Sequence, residues 1–106
     1  MKFEMNGDVY DDAYDVAEEI AYNLDDSWVE EQIYNDYGNE IEICGYHFDA
    51  VDAIQKLSMK CYESLRDSYL NDLVVHLKNL FNRMTCGAVY NVLGYEVKCL
   101  TREYDA

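Results

Sequence analysis

The sequence predicts an α+β fold, three to four helices packed on a small antiparallel sheet made of two β-hairpins, and three observations lead there. Apolar residues recur every three or four positions over 8–24, 27–38 and 59–83, the stripe of an amphipathic helix. Two other segments, 40–48 and 88–104, alternate apolar and polar residues around a glycine, the pattern of a hairpin. Proline is absent from all 106 residues, and no low-complexity stretch interrupts them. A chain of this length predicts one domain. It is expected to contain an acidic helical region over residues 1–38, a hairpin over 39–48, helices over 49–83 and a C-terminal hairpin over 86–104.

In the first helix, Asp8 to Leu24, the apolar stripe is Tyr10, Ala13, Ala17, Ile20, Ala21 and Leu24. Ser27-Trp28-Val29-Glu30 is a capping box that starts a second helix, which stops at Gly38 and turns Trp28 or Val29, Ile33 and Tyr37 inward. The segment Glu40 to Phe48 switches to period two, with Gly45 at its turn. Asp49 caps a short helix, Ala50 to Leu57, and Ser58 caps a long one from Met59 to about Arg83. The apolar residues of the long helix, among them Tyr62, Leu65, Tyr69, Leu70, Leu73, Val74, Leu77 and Phe81, cover more than one stripe. It is therefore the expected central and most buried element. Cys86-Gly87 ends the helical run, and Ala88 to Tyr104 forms the second hairpin around Gly94. The two hairpins share the form aliphatic-x-Gly-Tyr-polar-apolar, at 43–48 and 92–97, and are expected to join in one sheet.

Charge separates the two halves of the chain. Net charge is −14, with 22 acidic and 8 basic residues. Residues 1–52 hold 16 Asp or Glu and the single base Lys2, for −15, whereas residues 53–106 are close to neutral at +1. Leu, Ile, Val and Phe number 26 of 106, enough for a folded core and too many for a disordered acidic chain. So negative a surface excludes direct binding to nucleic acid or to an anionic membrane and points to a basic partner. Acidity needed only for solubility would spread over the whole surface, but here it is confined to one half. Asp8, Asp11, Asp12, Asp15, Glu18 and Glu19 repeat at the helical period on the side away from the stripe. Asp25 and Asp26 continue the row, and Glu30 and Glu31 extend it on the second helix. On one continuous helix such a row would place about one carboxylate per 3 to 4 Å of axis, close to the phosphate spacing of one DNA strand. Tyr14, Tyr22 and Tyr34 stand among these acids, where a phenol offers flat area and a hydrogen bond to an arginine.

No catalytic, metal or cofactor site is expected. The four cysteines, Cys44, Cys61, Cys86 and Cys99, are spaced 17, 25 and 13 apart, with no C-x-x-C and no pattern of a zinc clip or redox dithiol. Asp8 to Glu19 lacks the glycine of an EF-hand loop, and no phosphate loop, nucleophile elbow or H-E-x-x-H occurs. His47 falls on a hairpin and His76 on the long helix, each read as a satisfied or partly exposed histidine. A small enzyme built on Cys/His pairing is the remaining catalytic reading. With no signal peptide and no membrane span, the expected location is the cytoplasm, with reduced cysteines.

The run Glu40-Ile41-Glu42-Ile43-Cys44-Gly45-Tyr46-His47-Phe48, followed by Ile54 to Tyr62 and Tyr69-Leu70-Asn71-Asp72-Leu73, resembles a segment common in small acidic proteins of tailed phages. In that pattern an acidic helix, an Ile-x-Ile-x-Gly hairpin, a short helix and a Tyr-containing helix follow in order. The resemblance covers residues 28–74, and Ser58-Met59 stand where the pattern has Asp-Pro. It implies a phage or mobile-element origin and supplies no active site. In size and acidity the chain also resembles inhibitors that mimic DNA, the anti-restriction and anti-CRISPR proteins. The resulting expectation is a non-enzymatic inhibitor, acting in the cytoplasm of the infected bacterial host. It would block the DNA- or RNA-binding channel of a host defence nuclease such as a CRISPR effector or a restriction enzyme. The alternative is a phage assembly or regulatory protein that binds its partner through the apolar helix. A homodimer through the nearly neutral second half would keep both acidic halves facing outward.

Overall fold

The computed structural model describes residues 2–101, with Thr101 as backbone only. Among them the elements run β1 (Lys2–Met5), β2 (Asp8–Tyr10), α1 (Ala13–Tyr22), α2 (Asp26–Tyr37), β3 (Glu40–Ile43), β4 (Tyr46–Asp49), α3 (Ala50–Leu57), α4 (Met59–Asn82), β5 (Val89–Val92) and β6 (Tyr95–Thr101). The chain is α+β, with a four-stranded antiparallel sheet and a separate two-stranded one. Two compact units form, one from the residues up to Asn23 together with those from Asp72 onward, the other from Leu24–Asn71.

The first unit is built on a strand pair that helical periodicity concealed. Residues 8–10 are a strand, because Asn6-Gly7 makes a two-residue turn with both φ angles positive (54° and 83°), which returns the chain antiparallel onto β1. The predicted helix over Asp8–Leu24 therefore loses its first turn. Asp12, in extended conformation, caps the shorter α1 by accepting the amide of Asp15 at 2.8 Å. β1 also pairs with β6, with Phe3 opposite Cys99 and Met5 opposite Val97, so the sheet order is β2-β1-β6-β5. These four side chains are buried together on one face. Ala13, Val16, Ala17, Ile20 and Ala21 of α1 are buried too, the alanines keeping the helix slim on its inner side. Phe81 from the end of α4 meets Phe3 with ring centroids 6.0 Å apart.

In the second unit α2 is capped by Asp25, which accepts the Ser27 amide at 2.9 Å; the cap is thus Asp25 and not Ser27. The helix ends at Gly38 as its sequence announces. Val29 and Ile33 are buried, Trp28 is half-buried and Tyr37 is exposed. β3 and β4 pair across Cys44-Gly45, with Ile41 opposite Phe48 and Ile43 opposite Tyr46, placing these four on one face. Asp49 caps α3 and Ser58 stands at the start of α4, both as expected. Val29, Ile33, Val51 and Tyr62 form the core of this unit.

Two further expectations are corrected. The hairpins at 40–49 and 89–101 do not share a sheet, because β6 pairs with the N-terminal β1 and β3–β4 stands alone. The stretch 102–104 of the expected C-terminal hairpin lies outside the described residues. And α4 is not the most buried helix. Of its 24 residues, Tyr62, Leu70, Val74, Leu77 and Phe81 are buried, whereas Met59 and Val75 are exposed. Half of α1's 10 residues are buried, since a short alanine-rich helix fits closely onto strands and a long one carrying charge on several sides does not.

Leu93, at the first central position of the β5–β6 turn, has a φ of 50°, a conformation that costs leucine about 1 kcal/mol and that asparagine tolerates. Leu93 is 44% exposed, so Leu93→Asn, which relieves the strain but gives up some apolar burial, should raise the unfolding free energy by up to about 1 kcal/mol in urea titration. In the other unit the Tyr62 hydroxyl is enclosed without a well-formed hydrogen bond among the described residues. Removing an unsatisfied buried hydroxyl stabilises, so Tyr62→Phe should gain about 1 kcal/mol in the same titration.

Candidate functional site

The acidic residues singled out in the sequence fall into two sets, one in each unit. In the first unit Asp11 precedes the helix, Asp12 caps it, and Asp15, Glu18 and Glu19 lie on α1 opposite its alanine stripe. Asp8 is on β2. Tyr14 and Tyr22 are both exposed on α1. The Tyr14 phenol is pushed above its usual range by a hydrogen bond to the Glu18 carboxylate. Lys2 lies 4.0 Å from Asp11, an exposed pair of little strength. The charge on this face is felt by its own members: the Asp15 carboxyl is raised above its ordinary value, chiefly by Asp12, then by slight desolvation, Asp11 and Glu18.

In the second unit Asp25 is occupied as a helix cap, receiving the Ser27 amide and hydroxyl, which hold its carboxyl below the usual range. Asp26, Glu30 and Glu31 follow on α2, with Glu30 half-buried. Tyr34 is half-buried against the core and donates its hydroxyl to Asp49 at 2.8 Å. That bond pushes the Tyr34 phenol up to about 12. Tyr69 likewise donates to Asp36 at 2.7 Å, so carboxylates in this unit also serve to anchor half-buried tyrosines. A single helical row from Asp8 to Asp26, with phosphate-like spacing, does not form. Asp8 is drawn into the β1–β2 hairpin, and Asp25 and Asp26 begin another helix in the other unit. What persists is a pair of acidic helix faces. Among the described residues, Lys or Arg pairs with Asp or Glu at Lys2–Asp11, Lys56–Asp52 and Arg66–Asp67, so of the thirteen candidates Asp11 is the one so matched.

The first unit also holds a cavity of about 330 Å³, lined by Asp8, Tyr10, Glu19, Asn23 and Tyr95 among others. Asp8 and Glu19 stand in the acidic row of the sequence; Tyr10 reads there as an apolar helix position and Tyr95 as a strand residue, so their convergence is invisible to periodicity. Asn6-Gly7 is the local signal that could have revealed it, because that turn places Asp8 and Tyr10 on a strand. The second unit has an apolar groove of about 240 Å³ between Ile43 and Phe48 on one side and Ala53 and Leu57 on the other.

The residues able to carry covalent or metal chemistry are dispersed. Cys44, Cys61 and Cys86 are exposed, and Cys86 Sγ donates to the Leu100 carbonyl at 2.9 Å. His47 faces Glu40 at 3.3 Å, and His76 is exposed on α4. Among the described residues, no group of three or more His, Cys, Asp or Glu is placed to hold a metal ion. No described helix is long and apolar enough to cross a membrane. No family model, curated protein or solved structure matches the chain.

Asp15 provides a test of the crowding. Its folded-state carboxyl titrates above its unfolded value, so the ionised group opposes folding at neutral pH and the penalty is relieved as pH falls through the raised value. Asp15→Asn should therefore raise the melting temperature at pH 7, with a gain that shrinks toward pH 4, by calorimetry across that range.

Proposed function

We propose that the chain is a non-enzymatic inhibitor, encoded by a phage or mobile element. It would act in the cytoplasm of the infected bacterium by occupying the nucleic-acid-binding channel of a host defence nuclease, of CRISPR-effector or restriction type. The observation that carries the reading is the unneutralised acidity of α1 and α2. Asp15, Glu18, Glu19, Asp26, Glu30 and Glu31 have no Lys or Arg within ion-pair distance among the described residues, and Asp15 bears the repulsion that results. Like charges at helical spacing weaken the helices that carry them, and basic groups of a partner remove that penalty on binding. Carboxylates can pair Lys and Arg where phosphates would otherwise lie, and Tyr14 and Tyr22 add exposed flat surface between them. The phosphate analogy rests on charge and chemistry, not on an unbroken row at DNA spacing.

One specific observation favours a second reading: Ile43, Phe48 and Leu57 expose an apolar surface. A partner held there, as a phage assembly or regulatory factor would be, binds with little dependence on salt. The two readings separate in a competition assay with purified nucleases and labelled DNA. On the first reading the protein alone retards no DNA, displaces DNA from its target, and loses affinity steeply as salt is raised. Asp15→Lys, Glu18→Lys and Glu31→Lys together should weaken the complex by roughly a hundredfold or more while circular dichroism stays unchanged. Inhibition unaffected by the three reversals would remove the acidic faces from the interface, and a gel shift by the protein alone would end the mimicry reading.

A further inference from the structure

The cavity of the first unit is chemically one-sided. Asp8 and Glu19 contribute carboxylates, Tyr10 and Tyr95 contribute phenols, and among the described residues no Lys, Arg or His lines it. Asn23 strengthens the bias. Its Nδ2 donates to the Glu19 carbonyl at 2.7 Å and to Glu19 Oε1 at 3.0 Å, which commits both amide hydrogens. The carbonyl oxygen of Asn23 is left as an acceptor, and Glu19 is held in one orientation with its second carboxylate oxygen still available. The Tyr10 phenol lies above its usual range through burial first and then through the charges of Glu19 and Asp8, which places both carboxylates within electrostatic reach of one ring. A ligand that satisfies such walls brings several donors, positive charge and a surface that packs on aromatic rings.

Three cation classes differ in fit. A metal ion needs a tighter ligand set than two carboxylates, and no group of three or more His, Cys, Asp or Glu assembles among the described residues. An ammonium is a compact point charge with three donors. A guanidinium is planar, offers five donors in a fixed fork, pairs with carboxylates in bidentate fashion and stacks on phenol rings. The volume, about 330 Å³, lies at the small end of ligand cavities and suits a side chain better than a cofactor.

We propose that the cavity lined by Asp8, Tyr10, Glu19, Asn23 and Tyr95 is a binding site for a guanidinium group, taking one arginine side chain of the basic partner as its anchor. The source of that arginine rests on the inhibitor reading above; the guanidinium chemistry does not. Asp8 and Glu19 supply the counter-charge, Asn23 fixes Glu19 and accepts a further hydrogen bond, and the two tyrosines pack against the flat ion. An arginine held here meets two carboxylates, an amide oxygen and two half-buried rings at once, unlike one paired with a single carboxylate on the rest of α1, and it fixes the register of the complex.

The test has two arms. In the first, Nα-acetyl-arginine amide, its lysine counterpart and its uncharged citrulline counterpart are titrated into the ¹⁵N-labelled chain. The expected result is saturable shifts at the Asn23 side-chain amide and the backbone amides of Asp8, Tyr10 and Glu19 with arginine, weaker ones with lysine and none with citrulline. Asp8→Asn with Glu19→Gln should reduce arginine affinity by about tenfold or more while the spectrum stays dispersed. No shifts, equal shifts with arginine and lysine, or shifts spread over the acidic residues at large would overturn the site. In the second arm the same double variant is assayed against a nuclease that the unaltered chain inhibits. Loss of inhibition supports the anchor, and full inhibition overturns it while leaving the inhibitor reading intact. Arginine binding in the first arm with no nuclease inhibited by the unaltered chain would leave the site standing and fail the inhibitor reading instead.

Discussion

Antiparallel pairing of β1 with β6 joins the two ends of the described chain, and the first unit depends on it. Lys2–Met5 finds its partner at Val97–Thr101, across almost the whole sequence, so closing that contact carries the loop entropy of nearly the full chain. The compensation is burial: Phe3 against Cys99 and Met5 against Val97 on one face, with Phe81 and the inner side of α1 covering them. The cavity depends on the same pairing. Asp8 and Tyr10 arrive from the β1–β2 hairpin, Glu19 and Asn23 from the end of α1, and Tyr95 from the start of β6. Without the β1–β6 contact, Tyr95 would have no fixed relation to the others.

How much of this was legible in the sequence divides along the same line. Features set by neighbours in the chain were readable: the Asp49 and Ser58 caps, the stop at Gly38, and the hairpin around Cys44-Gly45. Features set by distant pairing were not. Nothing local shows that Cys99 lies opposite Phe3, and so nothing shows that the C-terminal hairpin adds to the N-terminal one and not to β3–β4. Asp8 and Tyr10 fit a helical period by coincidence, while the Asn6-Gly7 turn, a local signal of the opposite kind, determines their conformation. For the same reason the acidity was visible as composition but not as arrangement. The acids were apparent; the cavity that gathers two of them was not.

The acidic excess becomes more informative once the carboxylates with a folding role are set aside. Asp12, Asp25 and Asp49 cap α1, α2 and α3 in turn. Asp49 and Asp36 also receive the hydroxyls of Tyr34 and Tyr69, and Asp52 pairs with Lys56 at 3.0 Å. These account for an acidic bias in any chain that starts its helices with aspartate. They do not account for Asp15, Glu18, Glu30 or Glu31, which carry charge on exposed or half-exposed helix faces and cap nothing.

The behaviour of Asp15 shows that this remainder is not neutral for the fold. Its carboxyl is raised chiefly by Asp12, the residue that caps the same helix, so the interaction that starts α1 also makes the next acid costly. A neutral residue at position 15 would keep the cap and remove the repulsion. The neighbouring charges therefore work against the acid found there, and a need for solubility alone would be met by acids elsewhere on the surface without crowding. A partner that brings cationic groups to this face reverses the sign of that interaction, turning mutual repulsion among Asp11, Asp12, Asp15 and Glu18 into shared attraction.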